Sequence, residues 1–233
     1  MGARAASATV PRMIVVHHLE RSRSHRVLWM LEELGLPYEL VTYQRDPQTI
    51  LAPPALRAIH PLGKSPVITD DGIAIAESGA ILEYLVERHG GGRLAPAVGT
   101  PAHLRYRYFL HYAEGSLMPP LLVKLIASKI ATAKMPFFAR PIARKIAGSI
   151  ESSFVDPNLT RHLAFLEAEL TGRTWFAGDE LTAADIQMSY PLEAAVERGG
   201  PAARTANLMR VLTAMRARPA YARAIERGGP VLV

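Results

Sequence analysis

The sequence has no cysteine among its 233 residues. Disulfides, thiolate zinc sites and iron–sulfur clusters are therefore excluded, as is any mechanism in which the protein supplies a catalytic thiol. Long apolar runs are also missing, because none approaches the ~20 residues that a helix needs to cross a bilayer. The first twelve residues lack the apolar core of a signal peptide, and we expect them to form a loose extension.

Acidic residues are absent from one long stretch, residues 121–150, which we call the basic segment. The chain has 27 Lys and Arg against 21 Asp and Glu, a net charge of +6, and without this segment the count is 21 against 21. Its cations are Lys124, Lys129, Lys134, Arg140, Arg144 and Lys145. The remainder of the chain is balanced, which argues against a diffuse field for nucleic acid and indicates one local basic feature.

The first ninety residues alternate between strand and helix patterns. The predicted elements are a strand at 13–18, a helix at 24–34, a strand at 38–43, a short helix at 55–59, strands at 66–69 and 72–76, and a helix at 78–89. Gly35 is placed to end the first helix, and Asp71-Gly72 to make the turn of a hairpin. Because a βαβ unit pairs its strands parallel and a hairpin pairs them antiparallel, we expect a small mixed sheet.

After Pro96 the strand signal disappears, and the pattern becomes helical. Helices are predicted at 101–117, 121–135, 141–150, 157–171, 182–198 and 205–216. The best-specified helix start is Thr182 to Asp185, which has the spacing of a capping box. The expected fold class is α/β followed by all-α. We expect an extension at 1–12, a first domain at 13–92, a linker at 93–102 and a second domain at 103–233.

Three segments of the chain resemble the cytosolic-type glutathione S-transferases. They are HHLERSRSHRVLWMLEELGLPYE (17–39), HPLGKSPVITDDGIAIAESGAILEYL (60–85) and FAGDELTAADI (176–186). They stand in the family's order, and the first most resembles a bacterial and fungal subgroup with a Ser-Arg-Ser triplet before the first helix. The resemblance implies a thioredoxin-like N-terminal domain and an all-helical C-terminal domain, which agrees with the pattern of strands and helices.

The resemblance also implies an activity, the conjugation of glutathione thiolate to small apolar electrophiles, and leaves a glutathione peroxidase activity open. It implies a cytoplasmic homodimer that serves detoxification, with glutathione as co-substrate and no metal. Because cysteine is absent, the cysteine-based thiol transferase and dehydroascorbate reductase branches are disfavoured. Two alternatives from other classes stay open: a binding or scaffold protein on the same fold, and a protein that works at a membrane surface through the basic segment.

Ionising the thiol of glutathione near neutral pH needs help from the protein. Lowering a pKa of about 8.5 by about two units requires about 2.7 kcal/mol of differential stabilisation of the thiolate. A helix N-terminus with a hydroxyl donor can supply this. Ser22 and Ser24 stand where the first helix begins; Ser22 best matches the family's hydroxyl position, and Ser24 is the second choice. Both serines could instead cap the helix.

The resemblance places the binding of glutathione at two further positions. Lys64, Ser65 and Pro66 match a family segment with a cis-proline, where the backbone of Ser65 pairs with the cysteinyl part of glutathione. Lys64 either pairs with a carboxylate of the tripeptide or is solvated. Glu77 and Ser78, which open the third predicted helix, match the acidic and hydroxyl pair that binds the γ-glutamyl group.

Two histidines and two tyrosines each allow two interpretations. His17 and His18 end the first strand and either contact glutathione or pack; the eight histidines show no spacing typical of a metal site. Tyr108 and Tyr112 either line the electrophile pocket or lie in the core or a dimer interface.

The end of the basic segment has an amphipathic pattern. Ile142, Ile146 and Ile150 repeat every four residues, while Arg144 and Lys145 project from the other side. This pattern has three interpretations: a solvated cover over the substrate cleft, a helix on an anionic membrane surface, or a site for anionic or bulky substrates.

Overall fold

A computed structural model describes residues 13–49 and 51–232, so the expected extension at 1–12 lies outside the described residues. Four strands form one mixed sheet: β1 (Ile14–Leu19), β2 (Tyr38–Tyr43), β3 (Val67–Asp70) and β4 (Ile73–Ala76). The sheet order is β2-β1-β3-β4, in which β1 is parallel to β2 and antiparallel to β3, and β3 is antiparallel to β4. The predicted mixed sheet is confirmed, and its arrangement is that of a thioredoxin-like domain.

Three helices accompany the sheet: α1 (His25–Leu34), α2 (Ala55–Ile59) and α3 (Ser78–His89). Gly35 ends α1 in the left-handed conformation at φ 68°, as predicted. Asp71 and Gly72 both have positive φ, 56° and 79°, which is the backbone of a two-residue type I′ hairpin turn. The peptide bond between Ser65 and Pro66 is cis, as the resemblance implied.

Seven further α-helices follow in the described chain: α4 (Pro101–Tyr112), α5 (Met118–Thr132), α6 (Arg140–Ile150), α7 (Asp156–Glu169), α8 (Ala183–Arg198), α9 (Ala206–Arg216) and α10 (Pro219–Gly228). A short 3₁₀ turn, Gly200–Ala203, precedes α9. The sequence did not predict this turn or α10. The expected linker and domain limits stay predictions, although residues 90–100 hold neither strand nor helix.

Two predicted breaks between helices are wrong. The sequence predicted breaks at 118–120 and 151–156, but π-helical turns at Ala113–Leu117 and Glu151–Val155 join α4 to α5 and α6 to α7. A proline stands in the first turn of both α5 and α7. Proline is tolerated in a first helical turn, and the π turns supply the local change in winding, so the helical path continues.

One hydrophobic core runs through both parts of the chain. The central helix is α8, which packs against α1, α3, α4 and α5. Its predicted capping box is present, and the fully buried Asp185 also accepts the backbone N–H of Phe176 at 2.8 Å. The core thereby fixes α1 and α3 of the first part against the helical part. In the described chain, no helix is long and apolar enough to cross a membrane.

Candidate functional site

Ser22 and Ser24 lie between β1 and α1, but their surroundings differ. Ser22 lines a cavity of about 340 Å³, whereas Ser24 is fully buried. The hydroxyl oxygen of Ser24 lies 2.7 Å from that of Ser22 and 2.7 Å from Nδ1 of His18. Ser24 is the N-cap residue of α1, but its side chain makes no capping hydrogen bond with the helix.

The contact between His18 and the Gly228 carbonyl fixes the direction of these hydrogen bonds. Nε2 of His18 lies 2.9 Å from the carbonyl oxygen of Gly228, and because a carbonyl only accepts, Nε2 carries the hydrogen. Burial lowers the pKa of His18, so the ring is neutral at pH 7 and Nδ1 accepts from the Ser24 hydroxyl. The hydroxyl hydrogen of Ser24 is therefore donated to His18. That of Ser22 can go to the Leu19 carbonyl, 2.7 Å away, to Ser24, or to a group in the cavity.

Ser78 begins α3 and lines a second cavity of about 310 Å³. Its hydroxyl oxygen accepts from Nη1 of Arg26 and from Nε2 of Gln187, both at 3.1 Å. Because a hydroxyl oxygen has two acceptor sites, the hydrogen of Ser78 can be donated to an anion in the cavity. The preceding Glu77 has φ 72°, a left-handed conformation that is costly for a side-chain-bearing residue and that clusters at functional sites.

A buried cation lies behind Ser78. Arg26 on α1 is fully buried, and its Nη1 is 2.5 Å from Oε1 of Glu114. Glu114, on the π-helical turn after α4, also pairs with Nε of Arg23 at 3.2 Å. The ring of Tyr190 on α8 lies 5.3 Å from the Arg26 guanidinium carbon. Glu114, from the helical part of the chain, therefore supplies the carboxylate that pairs with Arg26. Arg26 in turn orients the hydroxyl of Ser78.

The two cavities adjoin and together make a groove with a shared wall, lined by Arg23, Leu62, Lys64 and Ser65. We call it the charged groove. The end at Ser22 is cationic, with Arg23, Arg45, Arg57 and Lys64. The end at Ser78 has both signs, with Glu77 and Glu114 beside Arg23 and Lys64. The groove thus presents positively charged side chains at the Ser22 end and side chains of both charges at the Ser78 end.

The five residues expected to bind glutathione all line the Ser78 end: Lys64, Ser65, Pro66, Glu77 and Ser78. The hydroxyl of Ser65 bridges to β1, since it donates to the His17 carbonyl at 3.1 Å and accepts the Leu19 N–H at 3.2 Å. The side chain of His17 is held between Tyr43 and Thr69, at 3.0 and 2.8 Å. Neither His17 nor His18 lines the charged groove, so packing is the interpretation that their contacts favour.

Tyr108 and Tyr112 line a different cavity, of about 600 Å³, on α4. Their rings stack at 5.6 Å, and the Tyr112 hydroxyl lies 2.6 Å from Nδ1 of His162. The structure does not bring these tyrosines to the charged groove, and their role at the electrophile stays a prediction.

Sequence reasoning missed several residues around the groove: Arg23, Arg26, Glu114, Gln187 and Tyr190. One signal was available, because Arg26 is a charged residue directly before the apolar residues Val27 and Leu28 of the predicted helix. Glu114, Gln187 and Tyr190 come from distant parts of the chain.

The fold and the groove together define a class of protein with two parts. The first is a thioredoxin-like sheet domain with a polar groove at the starts of α1 and α3, and the second is the helical part that follows it. Residues 22–88 match the family model of the glutathione S-transferase N-terminal domain, and residues 128–219 match that of the C-terminal domain. Glutathione S-transferase 3 of Schizosaccharomyces pombe is 40% identical over 184 residues, 78% of this chain and 74% of that protein.

Two further comparisons agree. Glutathione S-transferase 1 of Saccharomyces cerevisiae is 37% identical over 193 residues, 80% of this chain and 82% of that protein. The solved structure of a glutathione S-transferase from Actinobacillus pleuropneumoniae has a TM-score of 0.72 at 33% identity and covers 93% of each chain. The chain belongs to the glutathione S-transferase family.

Proposed function

We propose that this protein is a glutathione transferase that conjugates glutathione thiolate to apolar electrophiles. The observation that carries the proposal is the order of charges along the charged groove. Glutathione has an ammonium and a carboxylate at its γ-glutamyl end, a thiol in the middle and a second carboxylate at its glycyl end. The end with both signs suits the first pair, and the cationic end suits a thiolate and a lone carboxylate.

Ser22 is the donor to the thiolate in this proposal. It lines the groove, and its hydrogen can be redirected from the Leu19 carbonyl to a sulfur atom. Ser24 is fully buried and gives its hydrogen to His18, which leaves it no route to the sulfur. The start of α1 adds the positive end of the helix dipole. A positioned thiolate beside an electrophile needs no covalent intermediate on the protein.

The five residues of the Ser78 end divide the rest of glutathione between them. Glu77 pairs with the γ-glutamyl ammonium, and Ser78 donates to the adjacent carboxylate with a hydroxyl already oriented by Arg26. The backbone of Ser65, before the cis bond to Pro66, pairs with the cysteinyl part. Lys64 lines both cavities and lies within reach of a carboxylate from either end.

The remaining expectations belong to the same proposal. The electrophile meets the thiolate beside Tyr108 and Tyr112 or beside Tyr190, which lines the Ser22 end of the groove. The protein acts as a cytoplasmic homodimer, and its glutathione thiolate also reduces hydroperoxides. These are tested by sedimentation velocity and by assays with a hydroperoxide as second substrate.

The decisive experiment combines binding and turnover. Calorimetry measures the binding of glutathione and S-hexylglutathione, and chloro-dinitrobenzene conjugation is followed against pH for the natural protein, Ser22→Ala and Ser24→Ala. We expect Ser22→Ala to bind S-hexylglutathione normally but to raise the pKa of the bound thiol by about one to two units, because the thiolate loses its hydroxyl donor. Ser24→Ala should leave that pKa in place.

Three outcomes would count against parts of the proposal. If glutathione did not bind, the proposed function would be wrong. Binding without turnover in the natural protein would favour the binding or scaffold alternative. An unchanged thiol pKa in Ser22→Ala would move activation to the backbone N–H groups of α1.

A further inference from the structure

A surface patch at the start of α6 stands apart from the charged groove. Four large apolar side chains are exposed there: Phe137 at 80%, Phe138 at 68%, Ile142 at 63% and Ile146 at 51%. We call these residues the α6 patch. The phenylalanine rings lie 5.8 Å apart between centroids, and the isoleucines are one helical turn apart. Large exposed apolar patches on soluble proteins mark sites of interaction.

The packing of α6 makes this exposure unusual. The helix packs against α5, and its buried residues are Ala143 and Ala147. Burying an isoleucine removes more apolar surface from water than burying an alanine, so the protein core would gain from the opposite orientation. The helix instead turns Ile142 and Ile146 outward, while Ile150 at its end packs against the core, and the exposed pair indicates that the outer face meets a partner.

The surroundings of the α6 patch carry charge of one sign. From Gly115 to Ile150 the chain has six cations and no acidic residue. Lys124 pairs with Asp156 at 3.1 Å. The cations nearest to the patch along the chain are all exposed: Lys134, Arg140, Arg144 and Lys145. Two copies of this surface would bring like charges together, so the charge argues against self-association here and favours an anionic partner.

We propose that the α6 patch docks the protein on an anionic lipid surface. The two phenylalanines and two isoleucines enter the interfacial region, and the flanking cations contact the headgroups, which is the pattern of an interfacial amphipathic helix. The residues of the patch line no pocket among the cavities described above. A soft, anionic lipid interface accommodates exposed rings without such a pocket.

The test is co-sedimentation of the full chain with vesicles. We expect binding at low salt to vesicles of equal parts phosphatidylserine and phosphatidylcholine, much weaker binding to pure phosphatidylcholine, and loss of binding as salt rises. Arg144→Gln with Lys145→Gln should weaken partitioning about thirtyfold, at about fivefold for each cation. The control, Arg88→Gln with Arg204→Gln, lowers the net charge equally at exposed positions elsewhere and should keep binding.

A second variant separates apolar contact from charge. Phe137→Ser with Phe138→Ser leaves the net charge unchanged and should weaken partitioning by at least about tenfold. Glutathione conjugation should be the same in all of these variants. The proposal fails if the natural protein does not partition at low salt, if the charge control loses binding equally, or if the phenylalanine variant partitions normally. It also fails if that variant converts a dimer into a monomer, since the patch would then join two copies.

Discussion

Helices α1 and α6 have ten and eleven residues and use their faces in opposite ways. In α1 the polar side is buried: Arg26 is fully buried, and His25 is 2% exposed. In α6 two of the three isoleucines are exposed and the buried residues are alanines, although Ile150 at the end of the helix packs partly buried against the core. The difference shows that a hydrophobic period identifies the residues that share a face, whereas the elements packed around a helix decide which face is buried.

The neighbours of the two helices explain this difference. Helix α1 packs against α3, α8 and α10, so its polar side chains meet partners from three directions. Burying a polar group is costly unless it is partnered, and at α1 Nη1 of Arg26 donates to Ser78 and Glu114, which line the charged groove. Helix α6 packs mainly against α5 and the adjoining π turn. The polar side of α1 therefore belongs to the site, and the apolar side of α6 still needs a partner.

The largest effect should come from removing the anion beside α1. Glu114→Gln leaves Arg26 fully buried without a carboxylate, and the loss of one partner of a buried ion pair costs about 3–5 kcal/mol of unfolding free energy. Asp156→Asn, which breaks the exposed pair with Lys124, should cost less than about 1 kcal/mol. Urea unfolding of both variants measures the difference, and equal costs would contradict the contrast between buried and exposed cations.

The next largest effect should be a loss of unfolding free energy in acid that depends on His25. Burial, with smaller contributions from nearby His18 and Arg26, lowers the pKa of His25 to about 3. Below about pH 6.5 the unfolded chain binds a proton at this residue that the native state does not, so acid reduces stability. The expected contribution is about 2.5 kcal/mol between about pH 6.5 and 4.5.

Substitution of His25 isolates that contribution. His25→Phe keeps a ring against Tyr221, whose centroid is 4.9 Å away, and removes the titrating group. Unfolding by urea at a series of pH values should therefore give a flatter profile for His25→Phe. His111→Phe, at an exposed position, is the control and should retain the natural slope. An unchanged slope in His25→Phe would show that other groups carry the acid sensitivity.

These contacts also show how far the sequence could predict the molecule. Local signals were sufficient for the strands of the mixed sheet, for α1, for the hairpin turn and for the capping box of Asp185, because each depends on residues a few positions apart. The five groove residues from Lys64 to Ser78 came from family segments. Glu114 lies 88 positions from Arg26, and Gly228 lies 210 from His18. No local pattern reports such pairs, so the partners that orient the groove were found only in the fold.

The same limit applies to the helical part. The apolar pattern predicted breaks at 118–120 and 151–156, but the π turns at Ala113–Leu117 and Glu151–Val155 keep the helical path intact. Helix α10 was missed because only three of its residues, Ala220, Tyr221 and Ala224, are buried, which leaves a weak apolar pattern. The periodicity of Ile142 and Ile146 was real, yet the sequence could not show that these residues face outward.

A smaller effect should follow from the loss of the Ser78 hydroxyl. Ser78→Ala removes a donor to the γ-glutamyl carboxylate and takes one hydrogen-bond acceptor each from Arg26, which keeps Glu114, and from Gln187. Loss of one hydrogen bond to a charged group costs about 1.5–3 kcal/mol, so glutathione affinity should fall about tenfold or more. Calorimetry measures this, and Ser128→Ala on the exposed face of α5 is the control. Equal affinity in both variants would remove Ser78 from the site.

The smallest effect should come from the apolar face of α6. Ile142→Ala removes a side chain that is 63% exposed, so the unfolding free energy of the protein in solution should change by less than about 0.5 kcal/mol. Leu163→Ala on α7, at 1% exposure, creates a cavity and should cost about 2–5 kcal/mol. Both residues belong to apolar repeats of helical period, and urea unfolding separates them. A large loss in Ile142→Ala would mean that the isoleucine face is already covered by the protein itself, and a concentration-dependent loss would mean that a second copy covers it. If Ile142→Ala lowered the unfolding free energy only when anionic vesicles were present, lipid would cover this face. The apolar side of α6 would then be buried by a membrane surface, as the polar side of α1 is buried by the chain itself.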